Sequence, residues 1–322
     1  MEKVVIESVA MNGGVGDYSY ANNSSLQRSG FEAAKSLIHE AIMEKLDIKH
    51  LCNGNSIRIT DLGCSVGPNT FIAVENIVEA IEQKHHSEGL KLPCLNSMST
   101  SMTKLFPEKS IDLVYSLGAL QWLSKVPEDV VNIGRIHYSN APSEVMEAYK
   151  GQFSKDMERF LDARAKEVAH GGLMALSFPC IRDGQPYSRF LVGVFFSLLG
   201  SALMDMVKMG KVDQTKVDSF NVPFYAASPK EVEALVERNG HFTIERKETQ
   251  DFPILQGKGA IQVYSKHNRA CSEGLIRQHF GHDFEIIDEL FDLFTNKLSE
   301  SFSILEESSM NFVFVLLKRK QD

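Results

Sequence analysis

The sequence lacks the features that several classes of protein require. Its five cysteines form no CxxC pair and are odd in number, which argues against a disulfide framework and against a structural zinc site. The net charge is −8 at pH 7, and the basic run KRK at 318–320 is interpreted as a solvated chain end. Nucleic-acid binders usually carry a basic stripe, so no nucleic-acid partner is predicted.

Long hydrophobic runs are also scarce. Residues 1–14 lack the basic and apolar regions of a signal peptide. The longest apolar stretch, FLVGVFFSLLGSALM (190–204), is short for a membrane span and is better interpreted as a buried helix. We therefore predict no membrane partner and a reducing, cytoplasmic setting. The remaining composition, with 43% hydrophobic and 24% charged residues, is that of a globular protein with one large domain or a domain with an insertion.

The hydrophobic periodicity alternates between strand and helix along the chain. Helical patterns cover 28–47 and 68–84, and SIRITDLG (56–63) has the pattern of a strand between them. A long helix is predicted over 143–172, ended by Gly171 and Gly172. Further strands are predicted at 110–124, 173–179, 242–248 and 311–319. This order predicts an α/β fold with a largely parallel sheet, in which the last strand is expected to be an antiparallel edge.

Two mostly helical stretches interrupt this alternation. Residues 185–235 are very apolar and include several phenylalanines, and residues 265–305 also have a helical pattern. Both are interpreted as a helical cap inserted over the sheet, where aromatic side chains form either core or pocket walls. The α/β core then comprises residues 1–184, 236–264 and 306–322.

The segment DLGCSVGPNTF (61–71) joins a predicted strand to a predicted helix, where open α/β sheets bind ligands. Gly63 and Gly67 allow the backbone to approach a ligand closely, and Asp61 can accept hydrogen bonds from an ammonium or a hydroxyl. The spacing is GxxxG, which matches neither the dinucleotide fingerprint nor the P-loop. It favours a zwitterionic cofactor such as S-adenosylmethionine over a pyrophosphate, with a purely structural turn as the alternative.

Several segments, in order along the chain, resemble the plant SABATH methyltransferases. They are MNGGVGDYSYANNSSLQR (11–28), DLGCSVGPNTF (61–71), LFPEKSIDLVYS (105–116), LGALQWLSKVP (117–127), NIGRIHYS (132–139) and VDSFNVPFY (217–225). The resemblance covers nearly the whole chain. It implies a class I methyltransferase (Rossmann-like) sheet with a helical cap, usually in a homodimer. It also implies methyl transfer from S-adenosylmethionine to the carboxylate of a small metabolite or to a ring nitrogen of an alkaloid.

The same resemblance assigns roles to individual residues. The implied cofactor-binding residues are Tyr20, Ser24, Asp61, Gly63, Cys64, Asn69 and Ser116. Gln27 and Trp122 match a pair of neutral N–H donors that hold the substrate carboxylate, and the implied pocket walls are Phe195, Tyr225 and Phe312. Asn132, Asp218 and the Phe220 carbonyl match positions that hold Mg²⁺ in some members, although a turn stabilised by Asp218 explains them equally well.

These residues predict a mechanism that needs no general base. A carboxylate is ionised at neutral pH, so one of its oxygens attacks the sulfonium methyl in line while the enzyme positions the reactants and excludes water. The pair Gln27 and Trp122 favours a carboxylate over a heterocyclic nitrogen. Gly118, where members that methylate aromatic acids often carry tyrosine, argues against salicylate and favours another small apolar plant acid.

The chain departs from the family in length. It is shorter by several tens of residues before Trp122, where the second strand and the acid that holds the adenosine ribose are expected, and it has a smaller gap between Val131 and Asn132. One explanation is that the sequence as read omits a segment, which we favour because loss of an inner strand would uncover apolar core. The other is a genuine loss, which would give a catalytically impaired, ligand-binding relative.

Overall fold

The computed structural model describes residues 11–51, 56–63, 69–90, 94–100, 105–128, 130–257, 259–281 and 283–321. The strands are β1 (Ser56–Leu62), β2 (Cys94–Thr100), β3 (Ile111–Leu117), β4 (Val168–Cys180), β5 (Phe242–Phe252) and β6 (Met310–Arg319). The helices are α1 (Tyr20–Asn23), α2 (Ser25–Lys45), α3 (Ile48–Leu51), α4 (Asn69–Ser87), α5 (Ser143–Glu167), α6 (Leu191–Lys208), α7 (Gln214–Ser219), α8 (Pro229–Asn239), α9 (Gly259–Phe280), α10 (Phe284–Glu300) and α11 (Phe302–Glu307).

The described strands form one sheet in the order β2-β1-β3-β4-β6-β5. Strands β2, β1, β3 and β4 pair in parallel, whereas β6 is antiparallel to both of its neighbours. The prediction of a mostly parallel sheet with an antiparallel last strand is confirmed. Its placement at the edge is wrong, because β6 lies between β4 and β5. Val313, Phe314 and Val315 are all fully buried, which is typical of a strand covered on both faces.

The long helix predicted over 143–172 ends earlier, at Glu167, and β4 begins at the next residue. Gly171 and Gly172 therefore lie inside a strand rather than after a helix. Gly171 has a φ of +77°, and a Cβ on Gly172 would come within 2.9 Å of the Ala169 carbonyl oxygen. The two glycines permit a tight irregularity near the start of β4.

The stretch that seemed to lack a second strand contains one. β2 pairs in parallel with β1 over its full length, and Asp61 lies opposite Ser99. β2 is an edge strand, so the expectation that a missing second strand would open the inner sheet is wrong. Residues 94–100 supply the second strand of the sheet. Neither an omitted segment nor a genuine loss therefore has to be assumed to explain this strand.

The apolar segment at 190–204 forms most of α6, which confirms the predicted helix. By length and composition alone α6 could span a membrane, but 56% of it is buried inside the protein, where it packs against α7 and α10. This burial is typical of a core helix. α9 also packs against α10. By contrast, α8 contacts α5 and β5 and therefore belongs with the sheet, although the predicted cap boundary at 235 falls inside it.

The basic run at 318–320 is only partly solvated. Arg319 is 6% exposed and its Nε donates a hydrogen bond of 2.9 Å to the carbonyl of Ala165. The interpretation of this run as a solvated chain end is wrong for Arg319, because β6 continues through that residue into the interior.

Candidate cofactor and substrate site

The carboxyl end of β1 carries a buried acid. Asp61 is 7% exposed. Burial raises its pKa to about 6, and hydrogen bonds with Tyr115 and Thr70 partly offset that effect. A carboxylate kept in a site that disfavours its charge is a functional-site candidate, because a ligand that donates hydrogen bonds to it recovers the lost solvation.

Gly63, two residues further on, has a φ of +86°. A Cβ built on it would overlap the methyl group of Ala119, in the loop that follows β3. Two physical reasons therefore require glycine: the left-handed backbone and the close approach of the two loops. The loop continues into Cys64, which lies outside the described residues.

The predicted cofactor residues Ser24 and Asn69 meet where α2 and α4 begin. Both are buried, and Asn69 Nδ2 donates to Ser24 Oγ at 3.1 Å. Asn69 Oδ1 accepts a hydrogen bond from Arg28 Nε at 3.3 Å. Ser116 is also buried, but its hydroxyl donates to the Leu62 carbonyl at 2.7 Å, so in this arrangement it joins β3 to the end of β1.

A cavity of about 870 Å³, including its open mouth, lies beside these loops under the cap helices. Its lining includes both predicted carboxylate donors, Gln27 and Trp122, the predicted walls Phe195 and Phe312, and the predicted cofactor residue Tyr20. These residues come from the start of α2, the loop after β3, α6, β6 and α1. The fold thus gathers into one cavity side chains that are far apart in the sequence.

Trp122 is held firmly at the edge of this cavity. Its ring packs edge-on against Phe224 with 5.5 Å between the ring centroids, and its backbone forms a β-bridge with the same residue. Its neighbour Leu123 donates a backbone hydrogen bond to Pro223. Within the described part of the chain, no partner for the Trp122 indole N–H is recorded. The donor is therefore placed by packing and available to a ligand.

Tyr225 does not line the cavity, contrary to the prediction. It is 1% exposed and packs against Tyr138 and Phe153 at centroid distances of 5.3 and 5.2 Å. Its hydroxyl donates to the carboxylate of Glu231 at 3.1 Å. The backbone of the segment turns this side chain into the sheet–helix core, whereas the neighbouring Phe224 faces the cavity.

Helix α9 supplies cavity residues that the sequence interpretation missed. His267, Asn268, Cys271 and Ser272 all line the cavity, and their i, i+1, i+4, i+5 spacing puts them on one face of the helix. Because α9 also carries charged residues such as Lys266 and Arg269, this spacing alone did not identify them. Burial lowers the pKa of His267 to about 4 and raises the pKa of the Cys271 thiol to about 12, so both are neutral near pH 7.

Gln27 contacts this face of α9. Its side-chain amide lies 3.6 Å from Cys271 Sγ, and Cys271 Sγ lies 3.9 Å from His267 Nε2. In this contact Gln27 Nε2 donates to Cys271 Sγ, and Gln27 Oε1 is buried with no hydrogen-bond partner among the described residues. An amide nitrogen carries two hydrogens, so the second N–H of Gln27 is the donor that is left for a ligand.

Two of the three residues predicted to hold Mg²⁺ have side-chain contacts within the protein, although Asn132 Oδ1, the atom that would bind the ion, is buried with no partner among the described residues. Asn132 Nδ2 donates to Asn221 Oδ1 at 2.9 Å and to the His137 carbonyl at 3.1 Å. Asp218 Oδ1 accepts hydrogen bonds of 2.8 Å from the Gly134 N–H and from Gln214 Nε2. These donors fix the shortened loop to α7, as in the alternative interpretation of Asp218. Among the described residues, no group of three or more His, Cys, Asp or Glu side chains is placed to hold a metal.

A buried strand-end acid, a left-handed glycine and a large cavity at the carboxyl ends of parallel strands together define a Rossmann-like protein that binds a small cofactor and a second ligand. The family model described as SAM dependent carboxyl methyltransferase matches residues 6–100 and 98–320. The chain belongs to this family, the SABATH methyltransferases, and is an S-adenosylmethionine-dependent methyltransferase.

Several proteins of plants are similar to this chain over almost its whole length. Loganic acid O-methyltransferase of Catharanthus roseus is 36% identical, with 98% of this chain and 95% of the relative covered. A benzoic acid/salicylic acid carboxyl methyltransferase of Petunia hybrida is 32% identical, with coverages of 98% and 99%. The solved structure of a loganic acid methyltransferase with S-adenosylhomocysteine has a TM-score of 0.90 and 36% identity, over 97% and 99% of the two chains.

The shortness of the chain relative to this family is confirmed. The alignment to the Catharanthus protein spans 356 positions, whereas the chain has 322 residues, so at least 34 positions have no residue here. The two parts of the family match meet at residues 98–100, at the end of β2. The principal gap is therefore expected just after the second strand.

Proposed function

We propose that the protein transfers a methyl group from S-adenosylmethionine to the carboxylate of a small plant acid and forms the methyl ester. The observation that carries this proposal is the meeting of Gln27 and Trp122 in one cavity whose other walls include Phe195 and Phe312. A glutamine amide and an indole are neutral donors, so they orient a carboxylate without neutralising it. The aromatic walls take up the apolar part of the acid.

The chemistry assigned to the site involves no proton transfer. The cofactor supplies a methyl group on a positively charged sulfur. Transfer of that methyl to a carboxylate oxygen would break the carbon–sulfur bond and leave the electron pair of that bond on sulfur. The carboxylate is already ionised at neutral pH, and His267 in the same cavity is neutral. The residues of this chain therefore act by binding, orienting and excluding water.

We assign the cofactor to the end of β1. Asp61 would accept hydrogen bonds, Gly63 keeps the loop after β1 packed against Ala119, and Ser24 and Asn69 supply polar groups at the starts of two helices. Cys64 continues the same loop, and Tyr20 borders the substrate cavity. In this proposal the α/β core binds the cofactor, while cap residues 185–235 and 265–305 close the substrate pocket.

Cofactor affinity is expected to depend on pH through Asp61. Because the pKa of Asp61 is about 6 and its ionised form is the better acceptor, affinity falls about tenfold between pH 7 and pH 5. Asp61→Asn should bind more weakly at pH 7 and lose this dependence. Calorimetric titration with S-adenosylmethionine across this range checks both, and an unchanged pH profile in the variant would remove Asp61 from the site.

Thermal unfolding provides the control for that variant. The pKa of Asp61 is raised by folding, so its ionisation costs stability at neutral pH, and stability is gained as the pH falls through about 6. Asp61→Asn is therefore expected to unfold at pH 7 at the same or a higher temperature than the parent. Weaker cofactor binding together with undiminished stability separates a binding role from a structural one.

Magnesium is not needed in the proposed reaction. No step is routed through a metal at Asn132 or Asp218. We expect excess EDTA to leave the rate of methyl transfer unchanged, and added Mg²⁺ to have no effect. A loss of rate with EDTA that Mg²⁺ restores would reinstate Asn132, Asp218 and the Phe220 carbonyl as candidate ligands.

One observation favours a second possibility, a relative that binds cofactor weakly or not at all. Residues 89–107, which include β2, contain no Asp or Glu, so the usual strand-end acid for a ribose is missing. Loss of one charge-assisted hydrogen bond weakens binding by about 1.5–3 kcal/mol. Calorimetric titration separates the possibilities. If S-adenosylmethionine at high micromolar concentration gives no heat of binding, both the carboxyl methyltransferase and the alternative of a nitrogen methyltransferase are excluded.

The function itself is tested by transfer of labelled methyl to a panel of acids. The panel contains loganic, benzoic and salicylic acids, together with a xanthine as the nitrogen substrate. Methyl esters as products support the proposal, and label on the xanthine alone contradicts it. Light scattering tests the homodimer that the family resemblance implies, and fractionation tests the cytoplasmic location.

A further inference from the structure

The substrate cavity has more polar lining residues than a carboxylate clamp needs. Its apolar lining includes Phe195, Phe224 and Phe312. Polar lining residues come from one face of α9 and from Gln121, next to Trp122. A pocket for a purely apolar acid needs polar groups only at the carboxylate, so these additional polar residues require a different explanation.

Gln121 presents an acceptor whose identity is fixed. The residue is 5% exposed, and its Nε2 donates to the Gly118 carbonyl at 2.7 Å. A carbonyl only accepts, so the other end of the amide is the oxygen. Gln121 Oε1 is buried and has no hydrogen-bond partner among the described residues. The backbone is fixed as well, since the Tyr225 N–H donates to the Gln121 carbonyl at 2.8 Å.

Asn268 repeats this arrangement from α9. It is 6% exposed, and its Nδ2 donates to the Tyr264 carbonyl at 2.8 Å, which again identifies the other end as the oxygen. No donor to Asn268 Oδ1 is recorded within the described part of the chain. Ser272, one turn further along, donates its own hydroxyl hydrogen to the Asn268 backbone carbonyl at 2.6 Å, so it too offers the cavity only lone pairs.

We infer that the acid methylated here carries hydroxyl groups, which donate to the amide oxygens of Gln121 and Asn268. This inference rests on the proposed function and names its substrate class. A hydrocarbon portion would strip water from both oxygens and pair with neither, and a second carboxylate, which has no hydrogen to donate, would be repelled. The two acceptors lie on different elements, so two donors on one substrate satisfy them better than a single N–H.

Space for such a group is present beside Gln121. A Cβ added to Gly118 would have no heavy atom within 4 Å, and Gly118 also lines the cavity. Open space therefore borders Gly118, whose carbonyl accepts the hydrogen bond from Gln121 Nε2. The polar residues of the cavity then act in two sets, with Gln27 and Trp122 donating to the carboxylate and Gln121 and Asn268 accepting from hydroxyls.

The experiment compares matched acids in one assay of labelled methyl transfer. The probes are cyclohexanecarboxylic acid and its 3-hydroxy, 4-hydroxy and 3,4-dihydroxy derivatives, with indole-3-acetic acid and its 1-methyl derivative as the N–H pair. We expect kcat/KM for the best hydroxy acid to exceed that of the parent acid at least tenfold. Gln121→Met and Asn268→Leu should each lower this ratio toward one.

The ratio is insensitive to the fraction of folded enzyme, so a partly unfolded variant still gives a valid result. Methylation of the parent acid as fast as of every hydroxy acid, or ratios that survive both substitutions, would overturn the inference and leave the proposed function standing. A preference confined to the indole N–H would also overturn it. Failure to methylate any acid, including loganic, benzoic and salicylic acids, would remove the proposed function itself.

Discussion

Trp122→Phe is expected to lower kcat/KM for an acid substrate by roughly 10- to 150-fold, because a hydrogen bond to a charged group contributes about 1.5–3 kcal/mol. The substitution removes the indole N–H but keeps an aromatic ring against Phe224. Gln27→Leu should cause a loss of similar size through the amide donor. The double variant should lose less than the product of the two effects, because both donors hold the same carboxylate.

Cofactor binding is the control for these variants. Gln27 and Trp122 face the substrate cavity, so the dissociation constant for S-adenosylmethionine is expected to stay unchanged when each is replaced. The loss should fall mainly on KM, since the clamp binds the ground-state carboxylate as well as the transition state. Variants that methylate the acid with unaltered kinetic constants would show that the carboxylate lies elsewhere.

Gly63→Ala is expected to destabilise the fold by about 2–5 kcal/mol and to abolish cofactor binding. The left-handed backbone costs a residue with a Cβ about 1–2 kcal/mol, and overpacking adds about 1–3 kcal/mol. The overpacking arises because the new methyl overlaps the side chain of Ala119. Chemical denaturation of the parent and the variant measures the change in the free energy of unfolding.

The chain offers a matched control for that substitution. Gly118 has a similar φ of +72°, but a Cβ there meets nothing within 4 Å, so Gly118→Ala should cost only the backbone contribution. The second variant, Gly63→Ala with Ala119→Gly, removes the overlap and should recover stability toward that of Gly118→Ala. Equal losses for Gly63→Ala and Gly118→Ala would show that the approach of the two loops costs nothing.

Sequence patterns predicted the helices and strands whose hydrophobic periodicity is clear. The strand SIRITDLG and the helix after it have clear periods and correspond to β1 and α4. β2 was missed because CLNSMST has few apolar residues and resembles a loop sequence. It becomes a strand by pairing with β1, and this tertiary contact is not visible in the local sequence. The position of β6 was also missed, because a strand pattern records burial but not which strands lie on either side.

Prediction of the site was limited in a similar way. The family resemblance pairs Gln27 and Trp122, which lie on different elements and line one cavity. It could not show that Tyr225 turns into the core while Phe224 faces the pocket, since one residue of register decides which side chain points inward. The face of α9 that lines the cavity was not distinguishable from its other polar residues, and its contact with Gln27 depends on how the cap packs.

The place of β6 in the sheet has a consequence for how the protein is made. β4 and β5 are synthesised long before the strand that hydrogen-bonds to both of them, so on the ribosome each presents an open edge to the surrounding solution. Open strand edges are sites of aggregation. Translation that stops before residue 310 would release a chain with both edges unpaired. We therefore expect recovery of the protein in bacterial expression to depend strongly on chaperones that shield nascent chains.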